Sequence, residues 1–173
     1  MGKLLAISAL VLAVTSGAAV AANGEVQFLG VVTDTTCDIL PIVGGGTVNN
    51  LVQLGTVSTN GTGAAVPFAL KADMTQVGCQ SLTASSTATI GWNGAFDTNG
   101  LKAQSGAAVN AWAAIDTVNA SVTPAQSIKS SNLSADFSGD VLITTGAMFE
   151  ATLHGGDTAG DYRSVAAFVV AYN

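Results

Sequence analysis

The stretch SVAAFVVAYN, residues 164–173, has the alternating pattern of a β-strand and is the last segment of the chain. Every second side chain lies on one face of an extended strand, namely Ala166, Phe168, Val170 and Tyr172. No polar tail follows Asn173. We expect a final strand that is hydrophobic to its end to lie at a sheet edge or at a partner site.

A second alternating stretch, GEVQFLGVV, lies near the other end at residues 24–32. One face of this segment has three bulky residues and a single glycine, namely Val26, Phe28, Gly30 and Val32, while Gln27, Leu29, Val31 and Thr33 form the other face. A strand with such an apolar face needs a groove in which to bury it. The glycine marks a position where another backbone comes too close to leave room for a side chain.

Residues 1–21 have the pattern of a secretory signal peptide. Lys3 precedes an apolar run from Leu4 to Val14, and the segment ends in Ala19-Val20-Ala21, which fits a signal peptidase site. The apolar run is shorter than the ~20 residues that cross a bilayer. We therefore predict cleavage after residue 21 and export of the remaining chain.

Cys37 and Cys79 are the only cysteines, and both lie in the exported part. An oxidising compartment would join them in one disulfide. Closing a loop of this length stabilises a fold by about 4 kcal/mol in the chain-entropy model. A metal site or a redox pair would require closer spacing or histidine partners.

The composition excludes several classes of partner. Five Lys and Arg residues stand against eleven Asp and Glu residues, and only 9% of the 173 residues are charged. No basic surface is available for nucleic acid or anionic lipid. This profile fits an extracellular structural protein better than a cytosolic enzyme.

Period-2 alternation with frequent turn residues predicts one all-β domain, and an immunoglobulin-like sandwich is favoured over a barrel. The candidate strands are Glu25 to Thr36, Asn50 to Leu54, Val66 to Ala72, Ala88 to Trp92, Ala108 to Ile115, Val141 to Thr145, Ala147 to Leu153 and Ser164 to Tyr172.

No residue pattern supports catalysis, a metal or a cofactor. His154 is the only histidine, and without a nucleophile or zinc motif it is interpreted as a turn residue. Trp92 and Trp112 are interpreted as core residues rather than as a sugar-stacking platform.

The two ends and the cysteine pair resemble the major subunits of chaperone-usher fimbriae, the type 1 pilin family. Residues 24–32 resemble that family's N-terminal extension, and Phe68-Ala69-Leu70 leading to Gly78-Cys79 resembles its strand before the second cysteine. Tyr172 is the penultimate residue and Gly160 the fourteenth from the end, the places where the family has an aromatic and a glycine.

The resemblance implies an incomplete immunoglobulin-like sandwich that lacks its last strand. Residues 37–173 would form the pilin domain, and residues 22–36 would include the donor strand that fills the groove of a neighbouring copy. Val26, Phe28 and Val32 would enter pockets, and Gly30 would sit where no side chain fits. The groove edge and chaperone contact would comprise Gly160, Ala166, Phe168, Val170, Tyr172 and Asn173.

The function implied is that of a non-enzymatic structural subunit. It would pass through the periplasm with a pilus chaperone, cross an outer-membrane usher and polymerise head-to-tail with other pilins into a surface fimbria that supports adhesion. One alternative is a subunit that itself binds a host-cell receptor. Another is a self-contained secreted sandwich, either a carbohydrate-binding module or a small hydrolase.

Overall fold

The computed structural model describes residues 37–44, 47–122 and 125–173. The predicted signal peptide and the predicted extension, residues 1–36, lie outside the described residues. Within them the chain forms nine strands and two short helices: β1 (Ile39–Val43), β2 (Thr47–Val48), β3 (Val66–Ala72), α1 (Val77–Gln80), β4 (Thr87–Gly94), β5 (Leu101–Lys102), β6 (Trp112–Thr117), β7 (Ser134–Ser138), α2 (Gly139–Thr144), β8 (Ala147–His154) and β9 (Ala166–Tyr172).

The strands form two antiparallel sheets. The large sheet has the order β2-β1-β3-β8-β6-β5, and the small sheet has the order β7-β4-β9. Every pairing between neighbouring strands is antiparallel. The prediction of an all-β immunoglobulin-like sandwich is confirmed, with an incomplete small sheet of three strands.

The core lies between the sheets and follows from the alternation within each strand. In β4, Ala88, Ile90 and Trp92 are buried, and the residues between them are only partly buried. Phe149 stacks on Phe68 at a centroid distance of 5.4 Å, and Trp92 meets Phe149 edge-to-face at the same distance. Trp92 is 8% exposed, so its prediction as a core residue is confirmed. Such aromatic pairs stabilise a core beyond the area that they bury.

The predicted disulfide joins Cys37 to Cys79. Cys37 immediately precedes β1, and Cys79 is fully buried in α1. The bond therefore fixes the start of β1 against the core at the point where the described chain begins.

Most of the strongly alternating segments form the predicted strands. Val66–Ala72 has the predicted bounds, and β4, β8 and β9 agree within two residues at each end. The prediction for residues 108–115 was partly wrong, because Asn110 has a φ of 59° and the Ala111 N–H donates to the Ala108 carbonyl in a turn. The segment 50–54 is not a strand, and its Leu51 side chain is 58% exposed.

The prediction of a strand over Val141 to Thr145 was wrong, because α2 occupies Gly139–Thr144. A short apolar run fits a buried helix turn as well as a strand, and periodicity alone does not separate them. Asp140 lies in the first turn, and Gly146, with a φ of 83°, closes the helix by donating its N–H to the Val141 carbonyl. These are helix start and stop signals. No helix in the described segments is long and apolar enough to span a bilayer.

Replacing both cysteines, Cys37→Ala with Cys79→Ala, should lower the free energy of unfolding by about 4 kcal/mol, because the unfolded chain is then no longer constrained. Urea unfolding of the full chain measures the change. A reductant should lower the midpoint of the wild type and leave that of the double variant unaltered. An equal midpoint for the two oxidised proteins would contradict the prediction.

Candidate functional site: the open edge of β9

Among the described strands, the last one is a neighbour of β4 alone and lies at the edge of the small sheet. β9 pairs with β4 from Ala88↔Tyr172 to Gly94↔Ala166. Phe168 lies opposite Trp92 and Val170 opposite Ile90, so both side chains face the core. On its other side β9 has no neighbouring strand within the described part of the chain.

At this edge every second residue has backbone groups without a strand partner among the described residues. Thr87 and Asn173 exchange both of their backbone hydrogen bonds, at 2.8 and 2.9 Å. Because hydrogen-bonded pairs alternate in an antiparallel ladder, the odd-numbered residues of β9 bond to β4. The even-numbered residues direct their N–H and C=O groups away from β4, and these are Ala166, Phe168, Val170 and Tyr172. Their side chains are the ones that face the core.

The opposite wall is the start of β1. This strand pairs with β3 along its length, but β2 covers it only at Ile42 and Val43. A cavity of about 230 Å³ lies between the two strands, lined by Cys37, Asp38 and Ile39 on one side and by residues 168–170 on the other. We call this space between β1 and β9 the groove.

A hydrogen bond between the sheets closes one end of the groove. The Tyr172 hydroxyl donates to the Cys37 carbonyl oxygen at 2.8 Å. Burial, with a smaller contribution from the Asp38 charge, raises the pKa of Tyr172 to about 12. Only the neutral hydroxyl can donate this bond, and the raised pKa extends the range in which the hydroxyl is neutral towards about pH 12.

The start of β1 is also held by a reciprocal pair of hydrogen bonds. The Asp38 backbone N–H donates to Gln76 Oε1 at 3.1 Å, and Gln76 Nε2 donates to Asp38 Oδ2 at 2.5 Å. Gln76 directly precedes α1, which contains Cys79. The disulfide and this pair together determine where the Cys37 carbonyl meets Tyr172.

The structure brings together most of the residues predicted for the groove edge. The predicted residues within 166–172 occupy β9, and Asn173 is bonded to Thr87. Gly160 lies in the loop before β9, where an added Cβ would come within 2.5 Å of the Ala107 carbonyl carbon. A side chain has no room there. The predicted donor residues lie outside the described residues: Val26, Phe28, Gly30 and Val32.

Sequence reasoning missed the wall formed by β1. The sequence feature that could have indicated this strand is the apolar run ILPIV, residues 39–43, which begins two residues after the first cysteine. Pro41 within this run is typical of an edge strand, because proline has no N–H for a second neighbour.

The other residues considered from the sequence, His154 and Trp112, lie outside the groove. Among the described residues no group of histidine, cysteine and carboxylate side chains could hold a metal ion. His154 ends β8 rather than lying in a turn, and its ring stacks on Trp112. The prediction of Trp112 as a core residue was wrong. It is only partly buried and lies on the outer face of the large sheet, because its neighbour Ala113 points into the core.

Comparison with known proteins shows a clear relationship to a fimbrial protein. The chain is 42% identical to the F107 fimbrial protein of Escherichia coli over 172 residues, which cover 99% of each chain. No known protein-family model matches the chain.

The only tyrosines of the chain, Tyr162 and Tyr172, should both ionise near pH 12 in the folded protein, because burial raises the pKa of each to about 12. In the unfolded chain both ionise near pH 10. Their contribution to stability is therefore complete below about pH 10 and is lost as the pH rises towards about 12. Phenolate absorbance at alkaline pH measures this directly.

The variant Tyr172→Phe should halve the amplitude of this titration and lower the free energy of unfolding by about 1 kcal/mol through loss of the bond to Cys37. A native titration step near the ordinary tyrosine pKa of about 10 would contradict the assignment.

Proposed function

The chain belongs to the family of fimbrial subunits, and we propose that it is a structural subunit of a surface fimbria that polymerises head-to-tail by donor-strand exchange. The observation that carries the proposal is the free edge of β9. Four consecutive even-numbered residues there combine backbone groups that have no strand partner in the described segments with side chains that face the core. Such an edge is a template for an added strand.

The proposed donor is the N-terminal extension of a neighbouring copy, residues 22–36. A strand laid along β9 would accept and donate the missing hydrogen bonds and enlarge the small sheet from three strands to four. Val26, Phe28 and Val32 would then face the core through the groove. Burying these three side chains stabilises the contact by at most about 5 to 9 kcal/mol, apart from the backbone bonds.

The symmetry of this contact supports a filament. The donor segment and the groove are different surfaces of the same chain, so the contact is heterologous and does not close between two copies. Each added copy would present a new donor segment, and growth would continue in one direction. The chain would act in the fimbria as a building component without enzymatic activity.

The proposed route to the surface requires two further partners. An unfilled groove exposes apolar surface and would cause aggregation, so a periplasmic chaperone would supply a temporary strand to β9. An outer-membrane usher would then exchange that strand for the extension of the next subunit. Residues 1–21 would direct export and be removed.

The first test of the proposal compares urea unfolding of the oxidised chain lacking residues 22–33 with and without a synthetic peptide of those residues. Because the peptide would supply the missing strand, we expect it to raise the unfolding midpoint strongly. A peptide with Phe28 replaced by Asp is the matched control and should have little effect. A high unfolding midpoint that neither peptide changes would favour the alternative of a self-contained sandwich.

The second test addresses the register. Gly30→Leu should prevent filament formation, because the proposed site for Gly30 has no room for a side chain. Val31→Leu changes the neighbouring residue on the opposite face and should assemble normally. Electron microscopy of the cell surface reports filaments, and a chaperone pull-down reports whether each variant folds. Normal filaments from Gly30→Leu would reject this register.

A further inference from the structure

A row of side chains crosses the outer face of the large sheet at the edge away from β1. Lys102 in β5 lies opposite Trp112 in β6, and Trp112 lies opposite His154 in β8. Because Ala113 and Leu153 point into the core, Trp112 and His154 point outwards. A large aromatic ring is therefore exposed in part where an ordinary outer face has small or polar residues.

The indole ring of Trp112 is held in a fixed orientation. The His154 ring stacks on it at a centroid distance of 3.9 Å and an interplanar angle of 5°. His154 Nδ1 lies 3.3 Å from the Thr62 hydroxyl oxygen. The histidine covers one face of the indole, and the ring as a whole is only partly buried.

A cavity of about 300 Å³ lies beside Trp112, and its polar lining residues are Asp97, Asn99, Lys102 and Asn110. Trp112 lines the cavity and His154 does not. Its volume is at the lower end of the range for small-molecule sites, about 300–1,000 Å³. It suits a single ring rather than an extended ligand.

The walls of this cavity are fixed by hydrogen bonds that leave ligand-binding atoms unused. Asp97 Oδ1 accepts from the backbone N–H groups of Asn99 at 2.7 Å and Gly100 at 3.1 Å. Asn110 Nδ2 donates to Asp157 Oδ2 at 2.7 Å. Asp97 Oδ2 and Asn110 Oδ1 have no hydrogen-bond donor among the described residues. Both are thus positioned acceptors.

The strand below the cavity is anchored as well. The Tyr162 hydroxyl donates to the Leu101 carbonyl oxygen at 2.9 Å, and Ser105 pairs with Arg163. These contacts connect the short strand β5 to the segment that precedes β9. These contacts therefore hold Lys102 in its position opposite Trp112.

We propose that this cavity binds a single neutral hexopyranose residue of a glycan. A pyranose has a face of C–H groups that packs on an indole and a rim of hydroxyl groups that both donate and accept hydrogen bonds. Asp97 and Asn110 supply acceptors, and Lys102 supplies a donor. The charges of Asp97 and Lys102 balance, and the chain has a net charge of −6, which disfavours an anionic ligand.

The site is independent of the groove. Trp112 points outwards from the large sheet, whereas the free edge of β9 belongs to the small sheet, so a strand added at β9 would not cover the indole. If the chain forms a filament, as the proposed function requires, every subunit would carry one copy of the site. Repetition of weak sites raises the avidity for a glycan-covered surface by about 10²- to 10⁴-fold.

The test uses the full exported chain and measures monovalent binding, so its outcome does not depend on filament formation. The probes are methyl glycosides of glucose, galactose, mannose, N-acetylglucosamine and N-acetylgalactosamine, with methyl sialoside as the anionic comparison. Saturation-transfer NMR detects binding and identifies which face of the sugar contacts the protein. We expect at least one neutral glycoside to bind through its C–H face.

Variants then assign the site. Trp112→Ala should weaken binding by about 10-fold or more, and Trp112→Phe should weaken it less because an aromatic face remains. Asp97→Asn keeps an oxygen that can accept the backbone hydrogen bonds of Asn99 and Gly100, but it replaces the second carboxylate oxygen by an amide group that cannot accept. This variant should also weaken binding. Glu150→Gln is the matched control, because it removes a carboxylate from the same outer face of β8 and should bind normally.

Circular dichroism and thermal unfolding establish that each variant is folded. If Trp112→Ala does not fold, Asn99→Ala replaces it, since Asn99 is an exposed residue that lines the cavity. Binding that persists in folded Trp112→Ala, or in Asn99→Ala together with Asp97→Asn, would overturn the proposal. So would the absence of binding to every neutral glycoside, or a preference for the sialoside.

Discussion

The central constraint is that β9 has β4 as its sole strand neighbour within the described part of the chain. Backbone N–H and C=O groups that leave water must find partners, and the even-numbered residues of β9 have none on their outer side among the described residues. The same residues direct apolar side chains into the core. An added strand would satisfy the hydrogen bonds and complete the apolar packing at the same time.

The groove has a defined shape because several contacts act on one short segment. The disulfide fixes Cys37 to α1, the reciprocal bonds of Asp38 and Gln76 orient the start of β1, and the Tyr172 hydroxyl joins this segment to the end of β9. Apart from the disulfide these are single hydrogen bonds, each of which stabilises a fold by about 1 kcal/mol. Together they fix the positions of β1 and β9, two strands of different sheets with no described strand between them.

On the outer face of the large sheet, the sequence did not reveal which individual side chains are buried. Trp92 and Trp112 both occur in apolar strands, but Trp92 lies at the centre of the core, whereas Trp112 is only partly buried and stacks on His154 at the outer face. Alternation gives the two faces of a strand without saying which face is covered. The cavity beside Trp112 is formed by segments that only the fold brings together, as 97–102 and 110–112 meet across β5 and β6.

The sequence by itself determined the all-β class, the disulfide, and the four strands whose alternation is long and regular, including the apolar face of β9. The family was also readable from the two chain ends. Only the tertiary structure decided that residues 139–144 form a helix, that β1 is the second wall of the groove and that Trp112 faces outwards. The physical reason is that a side-chain period specifies a local conformation, whereas burial and an open edge depend on which distant segments cover that conformation.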